Sequence, residues 1–235
     1  MKYAIIDKRM PTDCKISLNS LGFEALELPP FSALSVSVAS HPDMLLFFGD
    51  KIFCHKDYYN EAKDVLDTVS AASGAEIILS NEGTNEKYPS DILFNAVKLG
   101  NYIFGKADSV SELIKNYAEQ EKITLVNVRQ GYTKCSVCKV TESAIITADE
   151  GIAKAARRQG VDVLKISEGH ITLDGCDYGF IGGASGNDGK NTYFCGNIDL
   201  HPDGEAIKEF CKANGRPAIS LGKDRLYDVG TIFFI

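Results

Sequence analysis

One pattern recurs along this chain and limits what it can fold into: two short apolar strands, a helix, and a third strand. The copy that shows it best begins at His41-Pro42-Asp43 and runs into Met44–Phe48, an apolar stretch of strand length. Gly49-Asp50 then marks a hairpin turn, because this pair tolerates the backbone angles that a two-residue connection needs. Lys51–Cys54 is the returning strand. Asp57 is placed to cap a helix whose apolar positions Ala62, Val65, Leu66 and Val69 keep helical spacing. Gly74 is the expected stop, and Glu76–Leu79 is the third strand.

The pattern returns three more times. Asp91–Phe94 and Asn101–Phe104 read as a strand pair, Ser109 as the cap of a helix carrying Leu113, Ile114 and Tyr117, and Ile123–Val126 as the third strand. Next come Cys135–Val140, Ser143–Ile146, a helix capped by Asp149 and stopped by Gly160, and the strand Val161–Ile166. The last full copy pairs Tyr178–Ile181 with Asn191–Cys195, continues in a helix around Ile207–Cys211, and ends in Ala218–Leu221. The two ends of the chain make one more copy. Gly230–Ile235 is a strand with no helix after it, while Lys2–Ile6 opens the chain and is followed by a helix near Thr12–Leu21 and the strand Phe23–Leu28.

The 235 residues therefore divide into five units of roughly 47, a period at which repeat architecture is expected. Their approximate spans are 226–235 with 1–30, 41–80, 91–128, 134–167 and 176–221. A repeat whose first unit is completed by its last strand is a closed ring, which has no end unit to cap. The expected fold is a single α/β domain over 1–235, built from ββαβ units closed by the C-terminal strand. A hydrophobic fraction of 44% is enough for a packed core.

Charge narrows the partners. The chain has 25 Lys+Arg against 32 Asp+Glu, a net charge of −7. Such a balance lacks the basic face that phosphate backbones require, so no nucleic-acid partner is expected. A net negative field attracts cations instead. The longest apolar run, Met44–Phe48, is far short of a membrane span, and no membrane partner is expected. No signal-peptide pattern is read at the N-terminus. Seven cysteines scattered through the sequence do not form a disulfide framework, which points to a reduced, cytoplasmic protein. No cofactor motif and no metal site are read, and self-association into a homo-oligomer is left open.

This organisation resembles the pentein fold, the five-bladed α/β propeller of guanidino-group-modifying enzymes such as arginine deiminase, agmatine deiminase, dimethylarginine dimethylaminohydrolase and glycine amidinotransferase. The segment Glu168-Gly169-His170-Ile171-Thr172-Leu173 is similar to the one that carries the catalytic histidine in the hydrolases. The resemblance implies His170 as general acid/base and a hydrolase- or amidinotransferase-like reaction on a C–N bond. It also implies a nucleophilic Cys in a Gly-x-Thr-Cys-like segment near the C-terminus, where this chain has Tyr227-Asp228-Val229-Gly230-Thr231-Ile232. No Cys follows Cys211. A covalent amidino intermediate needs a good nucleophile, and an isoleucine supplies none. Cys135 and Cys176 are the candidate replacements.

In such a ring the segments after each third strand meet the starts of the first strands. There the chain places Asn81, Glu82, Arg129, Tyr132 and His170, and, from the strand starts, His41, Asp43, Tyr88, Asp91, Cys135, Asp174 and Asp228. Carboxylates suit a guanidinium, whose fork of N–H donors matches planar acceptors, and Asp43, Glu82 and Asp228 are the candidate holders of the cation. Arg129 suits a carboxylate at the other end of an amino-acid-like ligand, with His41, Asn81, Tyr132, Gly183 and Ser185 as further contacts.

Plainer readings stand beside these. His170 also reads as a surface histidine, and Asn81-Glu82-Gly83 as an ordinary turn. Phe180–Gly186 reads either as a bulged strand or as backbone that approaches a ligand. Cys135-Ser136-Val137-Cys138 has CxxC spacing, but residues three apart in a strand point to opposite faces, which argues against a shared metal. The chain is thus read in one of two function classes: an enzyme acting on a small guanidino compound, or a non-catalytic pentein that binds a small molecule or a protein, as the ribosome anti-association factor of the same fold does.

Overall fold

A computed structural model of the chain describes residues 2–235. The first elements are strand β1 (Lys2–Asp7), helix α1 (Thr12–Ser20) and strand β2 (Phe23–Leu28). A short helix α2 (Pro42–Leu45) leads into β3 (Leu46–Phe48), which turns back as β4 (Ile52–His55). Helices α3 (Lys56–Glu61) and α4 (Lys63–Ser73) return the chain to β5 (Ile77–Ser80). The strands β6 (Val97–Leu99) and β7 (Tyr102–Gly105), helix α5 (Glu112–Gln120) and strand β8 (Thr124–Asn127) come next. After a second short helix, α6 (Thr133–Ser136), the chain forms β9 (Val137–Thr141), β10 (Ala144–Thr147), α7 (Glu150–Arg158) and β11 (Asp162–Lys165). It ends with β12 (Ser185–Asn187), β13 (Thr192–Phe194), α8 (Gly204–Ala213), β14 (Ala218–Ser220) and β15 (Ile232–Phe234).

These strands make a mixed α/β fold of four sheets. Three are three-stranded, ordered β3-β4-β5, β6-β7-β8 and β9-β10-β11, each with one antiparallel and one parallel pair. The fourth has six strands in the order β14-β13-β12-β15-β1-β2. Five blades are expected from the sequence; four sheets form because β12 and β15 pair in parallel, Gly186 beside Ile232 and Asn187 beside Phe233. A Cβ on Gly186 would lie 2.2 Å from the Ile232 carbonyl oxygen, so the two strands meet only because that side chain is absent. The chain ends join as expected: β15 pairs antiparallel with β1, Ala4 opposite Phe234 and Ile5 opposite Phe233.

The longer helices pack one face on these sheets. Leu66 and Val69 of α4, Ile114 of α5, Ile152 and Ala156 of α7, and Ile207 and Cys211 of α8 are all at most 1% exposed. Each of the buried Leu, Val and Ile side chains contributes about 1.5–3 kcal/mol. Local signals set the ends. Asp149 Oδ1 accepts from Ile152 N at 2.7 Å, and Gly74 closes α4 at a left-handed φ of 69°. Two caps differ from expectation: His55, not Asp57, caps α3, and Ser111, not Ser109, caps α5. No helix among the described residues is long and apolar enough to cross a membrane.

The larger correction concerns the first strands. Met44 and Leu45 are helical, Asp91–Phe94 precedes the strand, Cys135 and Ser136 are helical, and Tyr178–Ile181 is irregular. Most of these residues are buried, and a short buried apolar run has the same pattern whether it is extended or coiled. The strands proper begin two to seven residues later in the sequence than expected. The segments before them turn inward.

Candidate functional site

Five inward-turning segments precede β3, β6, β9, β12 and β15, and hydrogen bonds join them head to tail in a closed ring. Asp43 N donates to Gly230 O (2.9 Å), and Thr231 N donates to Gly183 O (2.8 Å). Gly183 N in turn donates to Cys135 O (2.9 Å). Lys134 N donates to Asn95 Oδ1 (2.7 Å), and Asn95 Nδ2 donates to Asp43 O (3.1 Å). A single buried asparagine thus bridges two segments, as a buried amide must to be satisfied.

A cavity of about 370 Å³ opens on this ring, with His41, Asp91, Tyr132, Cys135, Phe180 and Asp228 in its wall. Ser35, Ser37, Glu86, Cys176, Asp177 and Tyr178 complete its polar lining, and no lysine or arginine takes part. Asp228 is fully buried; Oδ2 accepts from Phe180 N at 2.8 Å and Oδ1 from Gly230 N at 2.9 Å. Burial raises its pKa above the ordinary carboxylate value although His41 acts in the opposite direction. The fit around this carboxylate is tight, since a Cβ on Gly183 would lie 1.8 Å from Asp228 Oδ1 and one on Gly179 2.5 Å from its Cβ.

Asp91 accepts from the Tyr132 hydroxyl through Oδ2 at 2.7 Å, while its buried Oδ1 has no partner in the fold. Burial raises its pKa as well, and it raises that of the Tyr132 phenol. His41 lies between two carboxylates, with Nε2 3.7 Å from Asp7 Oδ2 and Nδ1 3.8 Å from Asp228 Oδ1. Neither distance is a hydrogen bond, and Nδ1 is unpartnered. Asp7 is held by Arg9, whose Nε and terminal nitrogen reach Oδ1 at 3.0 Å and Oδ2 at 2.6 Å. Cys135 is 3% exposed and its sulfur accepts from Asn95 Nδ2 at 2.9 Å. Burial pushes its pKa well above the ordinary thiol value, and the charges of Asp43 and Asp228 add to the effect. It is a thiol at neutral pH.

Of the residues singled out from the sequence, His41, Asp91, Tyr132, Cys135, Cys176 and Asp228 share this cavity. Asp43 lies behind it, fully buried, with Oδ2 accepting from the Thr231 hydroxyl at 2.8 Å and Oδ1 unpartnered. Gly183 sits behind Asp228. The others lie elsewhere. Glu82 caps α5, taking bonds from Glu112 N (3.1 Å), the Ser80 hydroxyl (2.9 Å) and the Ser111 hydroxyl. Partial burial opposes its charge, but these bonds outweigh it and lower its pKa. His170 is exposed, its ring edge-on to His201 at 5.5 Å. Asn81 and Arg129 are exposed and do not line the cavity, and Ser185 is buried in β12, its hydroxyl 3.2 Å from Gly182 O. Cys135 and Cys138 pack into different core clusters, and Cys135 lies in α6 rather than in the strand expected to hold both.

The sequence did not single out Asn95, Lys134 or Asp7. A signal was present: a polar residue stands just before or at the start of a first strand at Asp43, Asn95 and Lys134, where an apolar one would fit a strand better. Residues 5–233 match the pattern of DUF6873, described as a family of unknown function. The chain belongs to this family. No functionally curated protein matches it in sequence.

Solved structures do match the family member described here. One is a dimethylarginine dimethylaminohydrolase from Pseudomonas aeruginosa, a cysteine-to-serine mutant in complex with citrulline. It is 11% identical with a TM-score of 0.56, covering 94% of this chain and 91% of its own. Another is a dimethylarginine dimethylaminohydrolase adduct with 4-chloro-2-hydroxymethylpyridine, 13% identical with a TM-score of 0.56 over the same shares of both chains. At these identities the likeness speaks for the fold alone, which is that of these two dimethylarginine dimethylaminohydrolases.

Proposed function

We propose that this chain binds a small guanidino- or amino-acid-like cation in the cavity on its hydrogen-bonded ring. We read the ring as the hub of a five-bladed propeller, a single domain over 1–235 in which the six-stranded sheet is two repeat units joined through β12 and β15. One observation carries the ligand assignment: Asp91 and Asp228 face a cavity with no positive side chain beside Tyr132, Tyr178 and Phe180. Asp91 Oδ1 is a buried acceptor without a donor, and leaving it so costs about 1–3 kcal/mol. A guanidinium supplies planar N–H donors for such acceptors and stacks on aromatic rings.

Modification of that ligand would fall to Cys135 and His41, the cysteine and histidine buried in the same wall. In that reaction the Cys135 proton passes to His41, and sulfur bonds to the guanidino carbon. The C–N bond then breaks, with the leaving amine taking the proton from His41, and water releases the product. His41 takes the role that the sequence suggests for His170. The high pKa of Cys135 favours the second reading, binding without turnover, because a protonated thiol is a poor nucleophile. The free cysteines suit a reduced cytoplasmic setting.

The test is thermal unfolding with arginine, agmatine, methylated arginine and guanidinium, together with an assay for released amine. A ligand at 100 times its Kd adds about 2.7 kcal/mol, which moves the midpoint by several degrees in a protein of this size. If no member of the panel shifts the midpoint, the assignment fails. Stabilisation without amine release selects the binding reading.

A further inference from the structure

A second cavity, of about 260 Å³, lies against the far part of the same strands. The acidic cavity is lined by residues that precede the first strands. This one is lined mainly by the strands themselves and by residues just beyond them, Phe48 from β3, Lys98 from β6, Lys139 from β9, Asn187 from β12 and Phe233 from β15, with Ala96, Lys134 and Thr231 from just before them. The two therefore occupy opposite ends of one bundle of strands. Their charges are opposite too. Lys98, Lys134 and Lys139 line the second cavity with Glu142 as its only carboxylate, whereas the first has four acids and no lysine or arginine.

The lysines differ in their freedom. Lys134 is 8% exposed; its ammonium donates to Thr231 Oγ1 at 2.8 Å and to Val137 O at 3.4 Å, and it stands 5.7 Å above the Phe233 ring. Its charge is balanced through Thr231, whose hydroxyl also bonds Asp43. Burial lowers the pKa of Lys134, which the Asp43 charge opposes, and it offers no free contact. Lys98 pairs with Asp50 at 3.2 Å and Lys139 with Glu142 at 2.5 Å. The lysine side chains are only 19% and 31% exposed, their acidic partners 74% and 63%. Each acidic partner has a second donor, the Tyr117 hydroxyl on Asp50 and Gly100 N on Glu142, both at 2.8 Å, and Lys139 also donates to Lys98 O at 3.0 Å; exposed pairs of this kind are weak, and an ammonium with three donors takes a further acceptor without losing these partners.

One wall is flat and apolar. Phe48 and Phe233 stack with centroids 4.9 Å apart and planes 15° from parallel. Cations beside a flat aromatic face match a ligand with a carboxylate at one end and a planar apolar body. We propose that this second cavity binds a small aromatic carboxylate, with Lys98 and Lys139 at its carboxylate and the Phe48–Phe233 pair against its ring. The site is separate from the cation cavity and stands whether or not that assignment holds.

Calorimetric titration of the intact chain with benzoate, at fixed ionic strength, tests it. Benzoate should bind at least about tenfold more tightly than acetate, which lacks the ring, and than benzamide, which lacks the charge. The double variant Lys98→Met/Lys139→Met keeps the aliphatic stems and should weaken benzoate by about tenfold or more. Lys98→Gln/Lys139→Gln serves if the first does not fold. Asp91→Asn, in the other cavity, should leave the benzoate Kd unchanged. The proposal is overturned if benzoate does not bind, if benzamide binds as well, or if a folded double variant binds benzoate like the parent.

Discussion

Cys135 and Cys176 face one cavity from very different surroundings. Cys176 is exposed, whereas Cys135 is buried, held by Asn95 and surrounded by carboxylates that oppose a thiolate. Alkylation requires both access and the thiolate. Iodoacetamide at neutral pH should therefore modify Cys176 at least about a hundredfold faster than Cys135, as followed by peptide mass spectrometry. Equal rates would mean that the cavity wall opens readily. At this scale the sequence was a partial guide. His41 and Asp228 were legible as polar residues at strand starts, and Tyr132 as one in the segment after a third strand. His170 was singled out for its neighbours in sequence, yet its side chain turns to His201 and solvent, because a local segment says nothing of what lies opposite it in space.

Glu82 shows how an element can claim a residue that looks like a ligand contact. It is 30 residues from Glu112, yet its carboxylate serves the first turn of α5 and the Ser111 side chain that caps it. Glu82→Ala removes a charged acceptor from a helix N-terminus and should lower stability by about 1–2 kcal/mol, measured by denaturant melts. The sign of its pH dependence comes from its lowered pKa. The native carboxylate stays charged below the unfolded value, so its contribution is present above the ordinary glutamate range and is lost as pH falls through the native value. Parent and variant should therefore converge in acid; a difference that grows on acidification would contradict the assignment. The helices and second and third strands were legible because amphipathic spacing, Asp149, Gly74 and hairpin turns mark them locally. The starts of the first strands were not. Met44-Leu45 and Cys135-Ser136 are buried on all sides, and tertiary packing, which leaves no periodic trace, decides that they coil.

Across the whole molecule, the ends of the chain were legible as partners because each lacks what the other supplies, and β1 and β15 do pair. Asp43 and Gly183 were expected at a common centre, but the part played there by Asn95, Lys134 and Thr231 was not legible, since these residues are dozens of positions apart and meet only through the closed ring of bonds. That convergence creates the acidic cavity and sets its response to pH. Asp91 and Asp228 both have raised pKa values caused by burial, so the folded protein takes up protons at a pH where ordinary carboxylates are still charged. A proton then competes with a cationic ligand. The most direct test is calorimetric titration with agmatine as a function of pH, on the parent and on Asp91→Asn. Affinity should fall on acidification from neutral pH before ordinary carboxylates titrate, and Asp91→Asn should bind about tenfold more weakly with a flatter pH profile. Agmatine that binds parent and variant alike, at a pH-independent Kd, would contradict a cation site in this cavity.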